Sequence, residues 1–129
     1  MSHWSDAYIG LPYIAGEQDC AELLARVQRE VFGRQVTVPR ERAESPFGKS
    51  AQISQGARDL ADPVQAPLEG DAVLMQVRGL WHVGVWFERG EPWVLHALRS
   101  AGGVVSHRMR ELPLFGIKVE GFYRMRSDD

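Results

Sequence analysis

The chain has 129 residues, a formal charge of −2, 44% apolar and 25% charged residues. That fits a single domain, residues 1–129, able to bury a core without staples. Its pI near 6.1 argues against nucleic-acid binding as its main work, because phosphate recognition needs a basic surface. No apolar stretch approaches the ~20 residues of a membrane span. The N-terminal region lacks the basic start and apolar run of a secretory signal, so synthesis in the cytoplasm is expected. One cysteine excludes an internal disulfide framework and any multi-cysteine zinc motif.

In chain order, residues 1–19 read as a lead-in punctuated by Gly10, Pro12 and Gly16. From Cys20 the apolar positions Leu23, Leu24, Val27, Val31 and Phe32 form one helical stripe. Asp19 stands at the N-cap, Glu22 occupies the third position of a capping box and Gly33 is the stop. The spacing therefore predicts a helix over 20–32. Residues 34–50, broken by Pro39 and Pro46, read as a loop. A second, weaker helix covers 50–61 with Ile53, Ala57 and Leu60 on one side, closed by Pro63 and Pro67. Beyond Gly70 the pattern turns to short runs rich in Val, Trp, Phe and Tyr, at 71–77, 81–87, 93–97, 103–108 and 119–125. Helices first and strands later predict an α+β fold with an antiparallel sheet.

One hairpin carries most of the functional signal. A three-residue loop Glu88-Arg89-Gly90 favours glycine at its last position, so Phe87 pairs with Glu91. Counting outward along both strands then brings His82 directly opposite His96, on one face of the sheet. Pro92 would oppose Trp86, where no ladder N–H is needed. A four-residue loop would send the two histidines to opposite faces. Gly84 lies beside His82 and leaves room for a close neighbour, which the Cys20 helix is expected to fill.

Cys20 sits in the first turn of its helix, where the dipole and free N–H groups favour a thiolate. With His82 in reach, the pair has the composition of an activated nucleophile and its base. His96 is placed to orient His82 as a third member, and the first-turn N–H groups can hold an oxyanion. A lone cysteine as buried filler and a histidine pair satisfied in the core remain the bland alternatives. His3 and His107 read as exposed and ordinary.

Four segments carry a family resemblance: Gly10-Leu11-Pro12-Tyr13, Asp19-Cys20, Glu69-Gly70-Asp71-Ala72-Val73-Leu74, and His82-Val83-Gly84-Val85 followed by His96-Ala97. Glu120-Gly121-Phe122-Tyr123-Arg124 resembles the closing strand of phage forms. Over residues 8–126 the chain resembles the NlpC-type, papain-like cell-wall cysteine peptidases, most closely the short forms encoded with phage tail-assembly proteins. The resemblance implies a nucleophile helix packed on a five- or six-stranded antiparallel sheet. It also implies hydrolysis of peptidoglycan stem peptides at the D-γ-glutamyl–diaminopimelate amide, without cofactor or metal. By position it assigns Cys20 as nucleophile, His82 as general base and His96 as orienting residue. Tyr13 falls near the oxyanion or substrate, with simple packing as its alternative. Asp19 falls near a substrate amine, with helix capping alone as its alternative. Ala21-Glu22 stands where the family carries Ser-Gly or Trp-Gly. Phage tail proteins are the implied partners, and the virion tail or the cell wall the implied destination. Two other readings stay open. One is an inert tail module of the same fold, with a cleft lined by Trp81, Trp86 and Trp93. The other is a zinc site made from Cys20, His82 and His96.

Overall fold

The computed structural model describes residues 2–38 and 46–127. Helix α1, Cys20–Glu30, starts where Asp19 accepts Glu22 N–H on Oδ1 at 3.0 Å. Its buried side chains are Cys20, Leu23, Leu24, Ala25, Val27 and Gln28. Each fully buried Leu or Val contributes about 1.5–3 kcal/mol. Gln28 is buried without loss, since its amide donates to Gly70 O at 2.7 Å and its carbonyl accepts from Arg34 at 2.8 Å. Helix α2, Pro46–Leu60, begins earlier than the sequence suggests. Pro46 is its first residue, a position where the missing N–H costs nothing, so a proline read as a breaker is a starter. Of the expected 34–50 loop, residues 39–45 lie outside the described residues.

Six strands follow: β1 Ala61–Val64, β2 Ala72–Val77, β3 Leu80–Glu88, β4 Pro92–Leu98, β5 Gly103–Arg108 and β6 Ile117–Met125. They form one antiparallel sheet in the order β1-β6-β2-β3-β4-β5, so the chain is α+β as expected. Strand β1 is the addition. It contains Pro63, which an edge strand tolerates because its outer N–H needs no partner.

The sheet separates two apolar layers. Val83, Val85, Phe87, Leu95, Ala97 and Val104 pack with α1, and Ile53 and Leu60 of α2 join that layer. Val73, Met75, Val94 and Ile117 pack on the other side with Leu112, from the 3₁₀ segment Met109–Phe115. The N-terminal lead-in lies along β5: Gly10 N–H donates to Val104 O at 3.0 Å, Val104 N–H to Leu11 O at 2.9 Å, and Tyr13 N–H to Gly102 O at 2.9 Å. A side chain at Gly103 would collide with the Leu11 carbonyl. Asp71, only 1% exposed, anchors the start of β2. Its carboxylate takes Leu68 N–H at 2.8 Å and the Arg124 guanidinium at 3.1 and 2.9 Å. Among the described residues no helix is long and apolar enough to cross a membrane.

Candidate active site: a fork between two strands

The β3–β4 register departs from the sequence expectation by one pair. Phe87 pairs with Trp93 and Glu88 with Pro92, so the loop is residues 89–91 and Gly90, at φ +77°, sits in its middle. The rings of Phe87 and Trp93 stack at 6.0 Å with 12° between planes, and the Trp93 indole donates to Arg89 O at 3.1 Å. That aromatic pair is what selects the register. A shift of a whole pair preserves the faces, so His82 and His96 still share one, but they are not directly opposite.

The ladder between β3 and β4 ends at Val85↔Leu95. Beyond it, β3 pairs only with β2 as far as Leu80, and β4 only with β5 as far as Leu98. The two strands fork. Gly84 stands at the branch point. A Cβ there would lie 2.6 Å from Val94 Cγ2, 2.9 Å from Leu95 O and 3.1 Å from His96 Cβ. Its missing side chain makes room for β4, not for α1 as the sequence suggested.

A side-chain bond spans the fork where the backbone bonds stop. His82 Nε2 and His96 Nδ1 share a hydrogen bond at 2.8 Å, with ring centroids 5.0 Å apart and planes 63° apart. His96 is fully buried and His82 is 9% exposed. Burial pushes the His82 pKa down to about 4. Burial also drives His96 down, with the neighbouring rings of His82 and His107 adding to it. Both rings are therefore neutral near pH 7.

His82 and Cys20 line the same cavity, of about 1070 Å³, together with Tyr13 and Asp19. Leu24, Leu74, Val83 and Tyr123 make its walls largely apolar. Cys20 is the first residue of α1 and 7% exposed. Among the described residues, the one hydrogen bond made by the His82 ring goes to His96, and its Nδ1 carries none. Asp19 is buried and holds Gly16 N–H on Oδ2 and Glu22 N–H on Oδ1, both at 3.0 Å. Capping is thus its observed role. Tyr13 is half-buried against the α1 layer.

Three expectations change. His107 is half-buried and bonded, through Nδ1, to His96 Nε2 at 2.9 Å. It also stacks on Phe115 at 4.2 Å. Its signal was present in the sequence: closing the β4–β5 turn at Leu98↔Gly103 puts His107 opposite Val94, on the face of His96. His3 is half-buried, with Nε2 on Glu69 Oε1 at 2.9 Å. The three tryptophans do not share a cleft: Trp81 lines the cavity, Trp86 packs in the opposite layer and Trp93 packs beside Phe87. Cys20, His82 and His96 do not form a three-ligand metal site, because among the described residues no group of three or more such side chains is arranged to hold an ion. The chain matches no model of a known protein family and no curated protein.

Proposed function

We propose that this chain is an NlpC-type, papain-like cysteine peptidase or amidase acting on peptidoglycan stem peptides, at an amide of the D-γ-glutamyl–diaminopimelate type. The observation that carries the reading is the fork. It holds a hydrogen-bonded imidazole pair whose first ring borders the cavity that Cys20 enters from a helix N-terminus. On this reading the Cys20 thiol turns toward His82 Nδ1 when substrate fills the cavity and gives up its proton there. The sulfur attacks the amide carbonyl. The N–H groups of Cys20 and Ala21, ahead of those that Asp19 occupies at Glu22 and Leu23, face the developing oxyanion. His82 then protonates the departing amine, and water, deprotonated by the same ring, releases the acyl group. His96 keeps His82 in orientation through the 2.8 Å bond. Phage tail proteins are the partners in this reading, and they supply the route to the cell wall.

The inert module of the same fold is the second reading. It is favoured by the burial of Cys20, 7% exposed within the α1 layer, as a small apolar side chain would be. A digest of purified stem peptides read by mass spectrometry separates the two, with Cys20→Ser as control. New amine and acid termini that disappear in the serine variant support the peptidase. Intact peptides across a panel, with Cys20 alkylated by iodoacetamide only as pH nears that of an ordinary thiol, establish the module.

A further inference from the structure

Three imidazoles stand in a row. His82 Nε2 meets His96 Nδ1 at 2.8 Å, and His96 Nε2 meets His107 Nδ1 at 2.9 Å. A neutral imidazole carries one N–H and one bare nitrogen. Rings linked Nε2 to Nδ1 at each step can therefore satisfy both bonds in only two ways. Either every ring carries its proton on Nε2, leaving His82 Nδ1 bare, or every ring carries it on Nδ1, making His82 a donor. Mixed assignments set two N–H groups or two lone pairs against each other inside the protein, which costs a buried hydrogen bond.

We propose that His82, His96 and His107 act as one tautomeric unit, which turns His82 from proton acceptor to proton donor at the cavity while His107 exchanges the balancing proton with water. Its use in amide hydrolysis rests on the peptidase reading; its existence does not.

The step balances. The Cys20 S–H bond breaks and its proton joins His82 Nδ1. The His82 Nε2 proton passes to His96 Nδ1, the His96 Nε2 proton to His107 Nδ1, and the His107 Nε2 proton to solvent. One negative charge remains on sulfur and no buried ring becomes a cation. When the amine leaves, His82 Nδ1 gives up its proton and the same shifts run backward, with His107 regaining one from water.

The position of each ring suits its part. His96 in the middle is sealed, so it can pass a proton but not trade one with solvent. His107 is half-buried on β5 against Phe115, at the end water can reach. The charged group that acts on the row is the Glu111 carboxylate beside His107, and Cys20 lines the cavity that His82 borders. His107 touches neither cavity nor nucleophile; it is a positioning residue for the two rings that precede it.

The test is long-range proton–nitrogen NMR on the full chain labelled with ¹⁵N-histidine at pH 7. The expected result is one neutral tautomer shared by all three rings. Adjacent rings in different tautomers, or any of the three doubly protonated at that pH, would overturn the proposal. A second arm uses His107→Gln, whose amide can still accept from His96 but cannot relay a proton. Iodoacetamide alkylation of Cys20 at pH 7 should slow about tenfold, the scale set by one buried hydrogen-bonding link, with an unchanged urea midpoint. Alkylation that keeps its wild-type pH profile in this variant would reduce His107 to packing. If the variant does not fold, the wild-type tautomers decide alone. Uncut stem peptides from a protein whose rings share one tautomer would remove the peptidase reading and leave the unit standing.

Discussion

The buried imidazole pair should make this domain acid-labile in a calculable way. His82 ionises near 6.5 in an unfolded chain, and burial holds it to about 4 in the native state. The native pKa is the lower one, so its contribution to stability is fully present above 6.5 and is lost as pH falls through about 4. His96 is held lower still, so the native pair takes up only a fraction of one proton at pH 4.5, whereas both rings of the unfolded chain are charged there. Between pH 7 and pH 4.5 the linkage relation then gives a loss of about 2.5 kcal/mol from each ring, or about 5 kcal/mol for the pair. The assay is urea unfolding at both pH values, comparing wild type with the double variant His82→Gln, His96→Gln. Subtracting the two pH effects cancels the carboxylates and His3, which both proteins share. The wild type should lose about 5 kcal/mol more than the double variant over that interval. Equal losses would mean that the pair already carries a proton at pH 7, or that water reaches it, and the account of a neutral, sealed pair would fall.

Three further outcomes follow from contacts described above. Gly84→Ala places a methyl 2.6 Å from Val94 Cγ2, and this overpacking should cost about 1–3 kcal/mol by urea unfolding while shifting the His96 ring signals. Asp19→Ala frees the N–H groups of Gly16 and Glu22 and should cost about 1–2 kcal/mol, with Asp19→Asn losing less because one oxygen remains as a cap. Ser50→Ala removes the hydroxyl that accepts Trp81 N–H at 2.8 Å. The loss of about 1–3 kcal/mol expected for an unpaired buried donor should come with faster amide exchange at Trp81.

Much of the fold was legible because its signals are local. Asp19 before an apolar stripe, and β-rich runs separated by glycine turns, place α1 and five of the six strands close to their observed limits. What failed depended on partners far along the chain. Pro46 and Pro63 read as breaks, and only the first turn of α2 and an edge beside β6 make them acceptable. The hairpin glycine fits two registers equally well, and the Phe87–Trp93 stack chooses between them. The shared face of His82 and His96 holds in either register because faces depend on parity, which a whole-pair shift leaves alone. The fork was not legible at all, since the end of a ladder is set by where β2 and β5 pull the two strands apart. His107 becomes legible only when the β4–β5 turn is closed at Leu98↔Gly103, which sets it on the face of His96.

The threading of the sheet also governs whether such a centre can exist. Its middle strand β2 is flanked by β3 on one side and by the last strand, β6, on the other, while the segment leading to Cys20 is fastened to residues 102–104. These are contacts between segments about 40 to 90 residues apart along the polypeptide, the kind that slow folding. The cavity that Cys20 and His82 share therefore depends on strand β6, whose Tyr123 and Met125 line it, as much as on the strands that carry the histidines.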